Sequence, residues 1–430
     1  MTSHMRLWVG AVGLAAATGC GPDGGPAEGG GLDSGDRPLE LAFDTLYSVG
    51  AMEGDAWETF GSVSQVAFDA AGNLYIFDQQ SARIVVVDPD GAFLREVGKK
   101  GGGPGEFQNP MRMAVAPDGG IAVADFGARG FTRFDARGEY AGTVRIEGER
   151  GLPTSGLAMH RTEPAVLAHG AGMVFRTSMS AAAGSDRMEA STGIPVRRIS
   201  LETGQDTVLH DAWRPPPPEG PEDEVSGTNA SGGRMVIRMA PQVAFQPDVH
   251  LGVLPDGRLI VADSTTYTID ILDADGRFET TLERPIQPEA VTDDIREKEK
   301  ARRLALLDEG GSRMSMLFSG RGVSMGGMQE QIEEMQRKQI ETLLFADVVP
   351  VISGIGVEWG GRIWVERTAA EPGEPGPIDV IDADGRYFGT IAAEGPRIPA
   401  AFGPDGLIAY IERDELDVPS VRTLRIRPVD

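Results

Sequence analysis

One unit recurs along this chain, and a recurring unit constrains folding more than any single residue does. It runs as an apolar strand, a short glycine turn, a second strand ending in an acidic residue, a third strand, then Asp-x-x-Gly and an aromatic. It reads VAFDAAGNLYIFD (66–78) with IVVVDPDGAF (84–93), and MAVAPDGGIAVAD (113–125) with FTRFDARGEY (131–140). It returns as LGVLPDGRLIVAD (251–263) with IDILDADGRF (269–278), and as IGVEWGGRIWVER (355–367) with IDVIDADGRY (378–387). Weaker copies are AVLAHGAGMVFRT (165–177) with RRISLETGQ (197–205), and AAFGPDGLIAYIE (400–412) with VRTLRIRPVD (421–430). Each short apolar run bounded by a turn is a strand, and four strands per unit of roughly 40–50 residues make a propeller blade. Six copies predict an all-β, six-bladed β-propeller.

The ends complete the ring. The last copy stops at Asp430, aligned with Asp88 and Asp135, so the sixth blade lacks its fourth strand. The segment ELAFDTLYSVG (40–50) has strand alternation and is expected to supply it, residues 40–48 pairing with 421–428. Pairing there removes an exposed sheet edge. The following stretch, VGAMEGDAWETFGSV (49–63), has the same layout as VGKKGGGPGEFQNPM (97–111).

The run GKKGGGPGEFQNP, then MAVAPDGGIAVAD, then an Asp-Gly turn, resembles the NHL repeat and the wider six-bladed propeller superfamily. The resemblance implies the fold for most of 38–430. It is a weak guide to activity, because such propellers include binding modules, lactonases and lyases.

The N-terminus reads as an address. Arg6 precedes the apolar run LWVGAVGLAAATG (7–19), which is too short to span a bilayer and suits a secretory signal over 1–19. Ala17-Thr18-Gly19-Cys20 resembles a bacterial lipobox, which implies that Cys20, the only cysteine of the chain, carries the lipid. Gly21 follows in place of Asp, so by the rule for such lipoproteins the inner-membrane retention signal is missing. The Gly/Pro-rich 20–37 is expected to be a flexible tether, giving an exported, outer-membrane-anchored propeller of Gram-negative-type bacteria. A single Cys excludes disulfides, Cys-based zinc sites and iron–sulfur clusters within the chain. The net charge of −25 argues against a nucleic-acid partner, because phosphate recognition needs basic patches.

The long connections all fall on one face. First-to-second and third-to-fourth strand turns are short throughout, whereas 146–162, 178–196, 212–247, 285–347 and 367–377 belong to the other kind. Rigid scaffolds carry function on variable loops, so the insertion-rich face is the candidate functional face. Within it, VTDDIREKEKARRLALLDE (291–309) and MQEQIEEMQRKQIETLLF (328–345) predict two helices in an insertion at about 289–345. Met328, Ile332, Met335, Leu343 and Leu344 fall roughly on one side of the second. The Gly/Ser/Met linker between them suits either a rim cover or a hinged lid.

Two sets of residues could carry chemistry. Gln65, Arg112, Pro164, His250, Gly354 and Pro399 align at the entrance to the first strand. A position that varies while its neighbours repeat is not needed for folding, which makes Arg112, His250 and Gln65 candidate ligand contacts. Asp78, Asp125 and Asp263 end second strands, with Glu366 and Glu412 at or beside that level. Such a carboxylate ring could hold calcium, or each Asp could cap the following turn through backbone amides. The zinc lyases of the superfamily need several converging histidines. The alignment puts His169 in a short turn on the opposite face and His210 on the rim, which argues against a three-His zinc site. No catalytic residue is assigned. The expectation is a membrane-anchored, non-catalytic propeller binding a protein, glycan or small ligand on its insertion-rich face, with a calcium-dependent lactonase-like hydrolase as the alternative.

Overall fold

The Asp-x-x-Gly turns show why the repeat folds as it does. Asp88 Oδ1 accepts the amides of Asp90 (3.0 Å) and Ala92 (2.8 Å), and Asp135 Oδ1 those of Arg137 and Glu139, both at 2.9 Å. Asp273 and Asp382 make the same pair of bonds in the fourth and fifth blades. The glycines of these turns, Gly91, Gly138, Gly276 and Gly385, have φ of 85°, 82°, 83° and 79°, where a side chain is disfavoured. Sequence chemistry thus dictates a tight third-to-fourth hairpin in blade after blade.

A computed structural model describes residues 31–427 apart from 147–150, 154–155, 170–192, 214, 216–222, 229–233, 240 and 309–327. Six four-stranded antiparallel sheets form the body. The first five start from Val63–Phe68, Pro110–Val115, Gly156–Met159, His250–Val253 and Ile352–Val357 as innermost strands. The sixth is Ala401–Phe402, Leu407–Arg413 and Pro419–Arg427, completed by Ala42–Val49. That closing strand pairs from Ala42 with Arg427 to Val49 with Val421, as the repeat count required. A register shift between Thr45 and Tyr47 interrupts the expected alternation there.

The second strands of blades one and two are buried from end to end: every residue of Leu74–Asp78 and Ile121–Asp125 is buried. Both faces of a blade are covered by neighbouring blades, so these strands read as continuous apolar runs rather than alternating ones. The core is distributed in the same way, with one apolar cluster at each of six junctions among the described residues. Between blades one and two, for example, Phe77, Ile84 and Val86 meet Met113, Val123 and Phe134.

The third blade departs from the sequence alignment. Its first strand is Gly156–Met159 and its second is Ala165–His169, so AVLAH is the second strand rather than the first. The connection after it is therefore 170–192, not 178–196, and Leu157, opposite Ala168, takes the entrance place given to Pro164. Pro164 lies in the short turn instead. His160 shapes that turn: its Nδ1 accepts the amides of Thr162 (3.3 Å) and Glu163 (3.2 Å), doing what Asp does elsewhere.

The docked part of the chain also starts earlier than residue 38. Arg284 donates to the carbonyls of Leu32 (3.3 Å) and Ser34 (2.9 Å) and to Asp36 (3.1 Å), and the amide of Leu39 reaches the Thr390 carbonyl at 2.9 Å. Arg284 is 5% exposed, pairs with Asp379 at 2.6 Å and lies over the Tyr387 ring. The tether expected over 20–37 is thus fastened at its described end, residues 32–37.

The insertion holds two helices, α1 (Asp293–Asp308) and α2 (Met328–Glu341), packed on each other. Thr292 Oγ1 caps α1 by accepting the Ile295 amide at 3.3 Å. Glu299, buried on α1, holds Arg302 and Arg303 at 2.7 and 2.6 Å. Lys300 donates to the Glu341 carbonyl at the end of α2 (2.8 Å), and Lys298 ties α1 to Glu371 of blade five (2.8 Å). Two short strand pairs, 289–290 with 348–349 and 243–244 with 344–345, anchor the insertion's base. Of the expected α2 stripe, Met335 and Leu343 are buried and Leu344 is exposed. The linker 310–327, with its glycine pairs, lies outside the described residues. The 212–247 connection adds a hairpin, Asp223–Thr228 with Arg234–Met239, which the sequence reading left as loop.

Candidate functional site

The antiparallel sheets put every long connection at one end of the central channel, so the channel mouth on that face is the place to look. Four entrance residues line up there: Gln65 opposite Phe77, Arg112 opposite Ala124, His250 opposite Ala262 and Gly354 opposite Glu366. Gln65 has a structural duty, because its Oε1 accepts the Met113 amide at 2.7 Å and ties blade one to blade two.

His169 joins this group, although the sequence alignment sent it to the opposite face. It ends the second strand of blade three directly opposite Gly156 on the first. A Cβ at position 156 would overlap the His169 ring at Nε2, so the imidazole lies across the innermost strand at the one residue that has no side chain. Reaching over the first strand from the second carries the ring toward the axis. Burial pushes its pKa below the ordinary 6.5; Asp248 opposes this, and His250 and Arg112 add to it. Burial likewise lowers His250, against Asp248 and a bond to the Ile352 backbone. The signal that would have found His169 is the run AVLAH itself, which matches IAVAD (121–125) better than MAVAPD (113–118).

The mouth therefore brings together Arg112, two imidazoles held neutral near pH 7, and Asp248 in an acidic chain. Blade five adds Glu366, 3.4 Å from Arg397 and beside Gly354. At the other end of the channel the Arg161 side chain lies over the Trp359 ring, 4.6 Å from its centroid, linking the short turns of blades three and five. The indole of Trp359 donates to the Phe402 carbonyl at 2.7 Å, extending that link to blade six.

The three aspartates of the candidate ring do not behave alike. Asp78, fully buried, accepts the amides of Gly61 and Ser62 at 3.0 Å and Ser81 at 3.2 Å. Burial would raise its pKa, but these donors hold it below the carboxylate range. Asp125, equally buried, accepts Gln108 (2.8 Å), Asn109 (2.9 Å), Gly127 (2.8 Å) and Ala128 (3.4 Å). Both carboxylates are spent as clamps on the loop entering their blade and on the turn that follows. Asp263 differs: it accepts the Trp213 amide at 2.6 Å and pairs with His210 at 3.9 Å. Among the described residues no three His, Cys, Asp or Glu side chains are placed to hold a metal ion. Cys20 lies outside the described residues, among which no helix is long and apolar enough to cross a membrane.

A family profile described as "6-bladed beta-propeller" matches residues 56–150. With the six sheets it settles the architecture. The chain is a six-bladed β-propeller. Its outline is similar to that of a DUF4221-family member from Bacteroides vulgatus, 10% identical over 91% of this chain and 100% of that one, TM-score 0.49. A gluconolactonase from Xanthomonas campestris is 13% identical over 93% and 94% of the two chains, TM-score 0.39. Virginiamycin B lyase from Staphylococcus aureus is 12% identical over 90% and 100%, TM-score 0.37. No curated protein matches the chain. Likeness at these levels carries no argument about activity, and the propeller's own mouth has to supply it.

Proposed function

We propose that this propeller is a non-catalytic binding protein of the cell envelope, exported by the signal over 1–19 and anchored to the outer membrane through lipidated Cys20. Its ligand is a small molecule bearing a carboxylate, held in the channel mouth on the insertion-rich face. The observation that carries this reading is the placing of Arg112 and His250 at one level of two innermost strands, with His169 lying across Gly156 of a third. A guanidinium presents a planar donor fork that suits a carboxylate, and two neutral imidazoles offer directional N–H donors beside it.

The test is histidine NMR on the full chain during titration with a panel of small carboxylates and uronates. His169 and His250 resonances should move together and saturate, and Arg112→Gln should abolish the response. A panel that leaves both rings unmoved would sink the reading. The address is tested separately: Cys20→Ala should release the protein from membranes, and unchanged retention would refute the anchor.

A further inference from the structure

Asp263 follows the second strand of blade four as Asp78 and Asp125 end theirs, but it is not sealed as they are. Its counterparts Asp78 and Asp125 are sealed by several backbone amides each, from the entering loop and the following turn. At the place of Ser62 and Asn109 the loop entering blade four has Pro247, which carries no amide to donate. Asp263 keeps a side chain 20% exposed, with His210 beside it at 26%. Its amide donor is Trp213, the last residue of the outermost strand of blade three, and Trp213 is itself 50% exposed. The turn after Asp263 carries a row of hydroxyls, with Ser264 Oγ 3.1 Å from Thr266 Oγ1 and that oxygen 2.7 Å from Thr268 Oγ1.

We infer that Trp213, Asp263, His210 and the hydroxyls of Ser264 and Thr266 form a ledge that binds a neutral pyranose of a glycan. An exposed indole gives a sugar's C–H face a flat apolar platform with a polar edge. A carboxylate accepts from vicinal hydroxyls more strongly than a neutral acceptor does, and imidazole and serine or threonine hydroxyls complete the donors. The carboxylate at the centre of the ledge selects against acidic sugars. The ledge lies on the insertion-rich face but uses none of the residues of the channel mouth, so it stands independently of the carboxylate reading.

The test uses the full chain and neutral disaccharides, namely cellobiose, maltose, chitobiose and mannobiose, read by saturation-transfer NMR. Binding by at least one is expected, with Trp213→Ala weakening it about tenfold, a loss of the size that one aromatic contact supplies. Trp213→Phe should keep most of the affinity, and Asp263→Asn should lower it with melting unchanged. If no disaccharide transfers saturation, or if Trp213→Ala binds like the parent, the ledge is not a sugar site. The response of His169 and His250 to carboxylates is read on the same Trp213→Ala protein. Loss of sugar binding with that response intact separates the two sites.

Discussion

The His169 imidazole occupies the space that a side chain on Gly156 would fill, and the two residues face each other across the first two strands of blade three. That pairing makes a glycine, not a polar residue, the determinant of what reaches the channel.

Gly156→Ala should therefore push His169 out of the mouth. The ring, released from burial, should titrate nearer the ordinary 6.5, and the carboxylate response should fall. Forcing a methyl into an occupied site costs about 1–3 kcal/mol. Histidine NMR against pH reads the first effect and thermal melting the second; an unmoved His169 would show that the strand shifts instead.

The aspartates should separate by role. Asp125→Ala strips the acceptor from several buried amides and should cost about 2–4 kcal/mol, since bonds to charged groups are worth roughly 1.5–3 kcal/mol each and are not additive. Asp263→Ala removes one such bond and a half-exposed partner, and should cost clearly less. Urea unfolding of both variants decides it, and equal losses would contradict the distinction.

Arg284→Met should be among the most damaging changes far from either site. It strips the fully buried Asp379 of its nearer cation, leaving Arg367 at 3.7 Å, and breaking a buried pair typically costs about 3–5 kcal/mol. It also frees the chain at 32–36. Limited proteolysis near residue 37 should accelerate, and a variant that melts and digests like the parent would show that the segment is held by other contacts.

Acid should weaken the fold through histidines that are kept neutral. His160, His169 and His250 all have pKa values lowered by burial, so protons bind the unfolded chain first. Their contribution is intact above about 6.5 and declines as pH falls below it toward their folded values. His210 has the opposite sign: Asp263 raises it, so its contribution is full below about 6.5 and fades as pH rises through the folded value. Unfolding midpoints from pH 8 to 5 should drop, and His169→Ala with His250→Ala should flatten that slope. A parent slope of zero would remove the premise.

The architecture was legible in the sequence because the turns are local. Asp-x-x-Gly at 88–91, 135–138, 273–276 and 382–385 fixes hairpins without reference to the rest of the chain. Blade three was misread because its turn signal is carried by His160, which substitutes for Asp, so the alignment slid onto the next apolar run. Arg112 and His250 were found as irregularities in a regular position. His169 was hidden by that slide, although AVLAH matches the second-strand run IAVAD (121–125). The docking of 32–37 was not legible either, because it depends on Arg284 and Tyr387 meeting across a junction between blades.

The closing strand has a kinetic meaning. Val49 and Val421 are neighbours in one sheet but are separated in sequence by five whole blades. During synthesis from the N-terminus, blades one to five can gather in order, each from contiguous sequence, whereas Ala42–Val49 has no partner until Pro419–Arg427 has emerged. Contacts of such long range are slow to form and leave an unpaired edge waiting in the meantime. The ring is thus a late, single closing event, and conditions that delay it should yield swapped dimers joined through residues 42–49 before they yield misfolded blades.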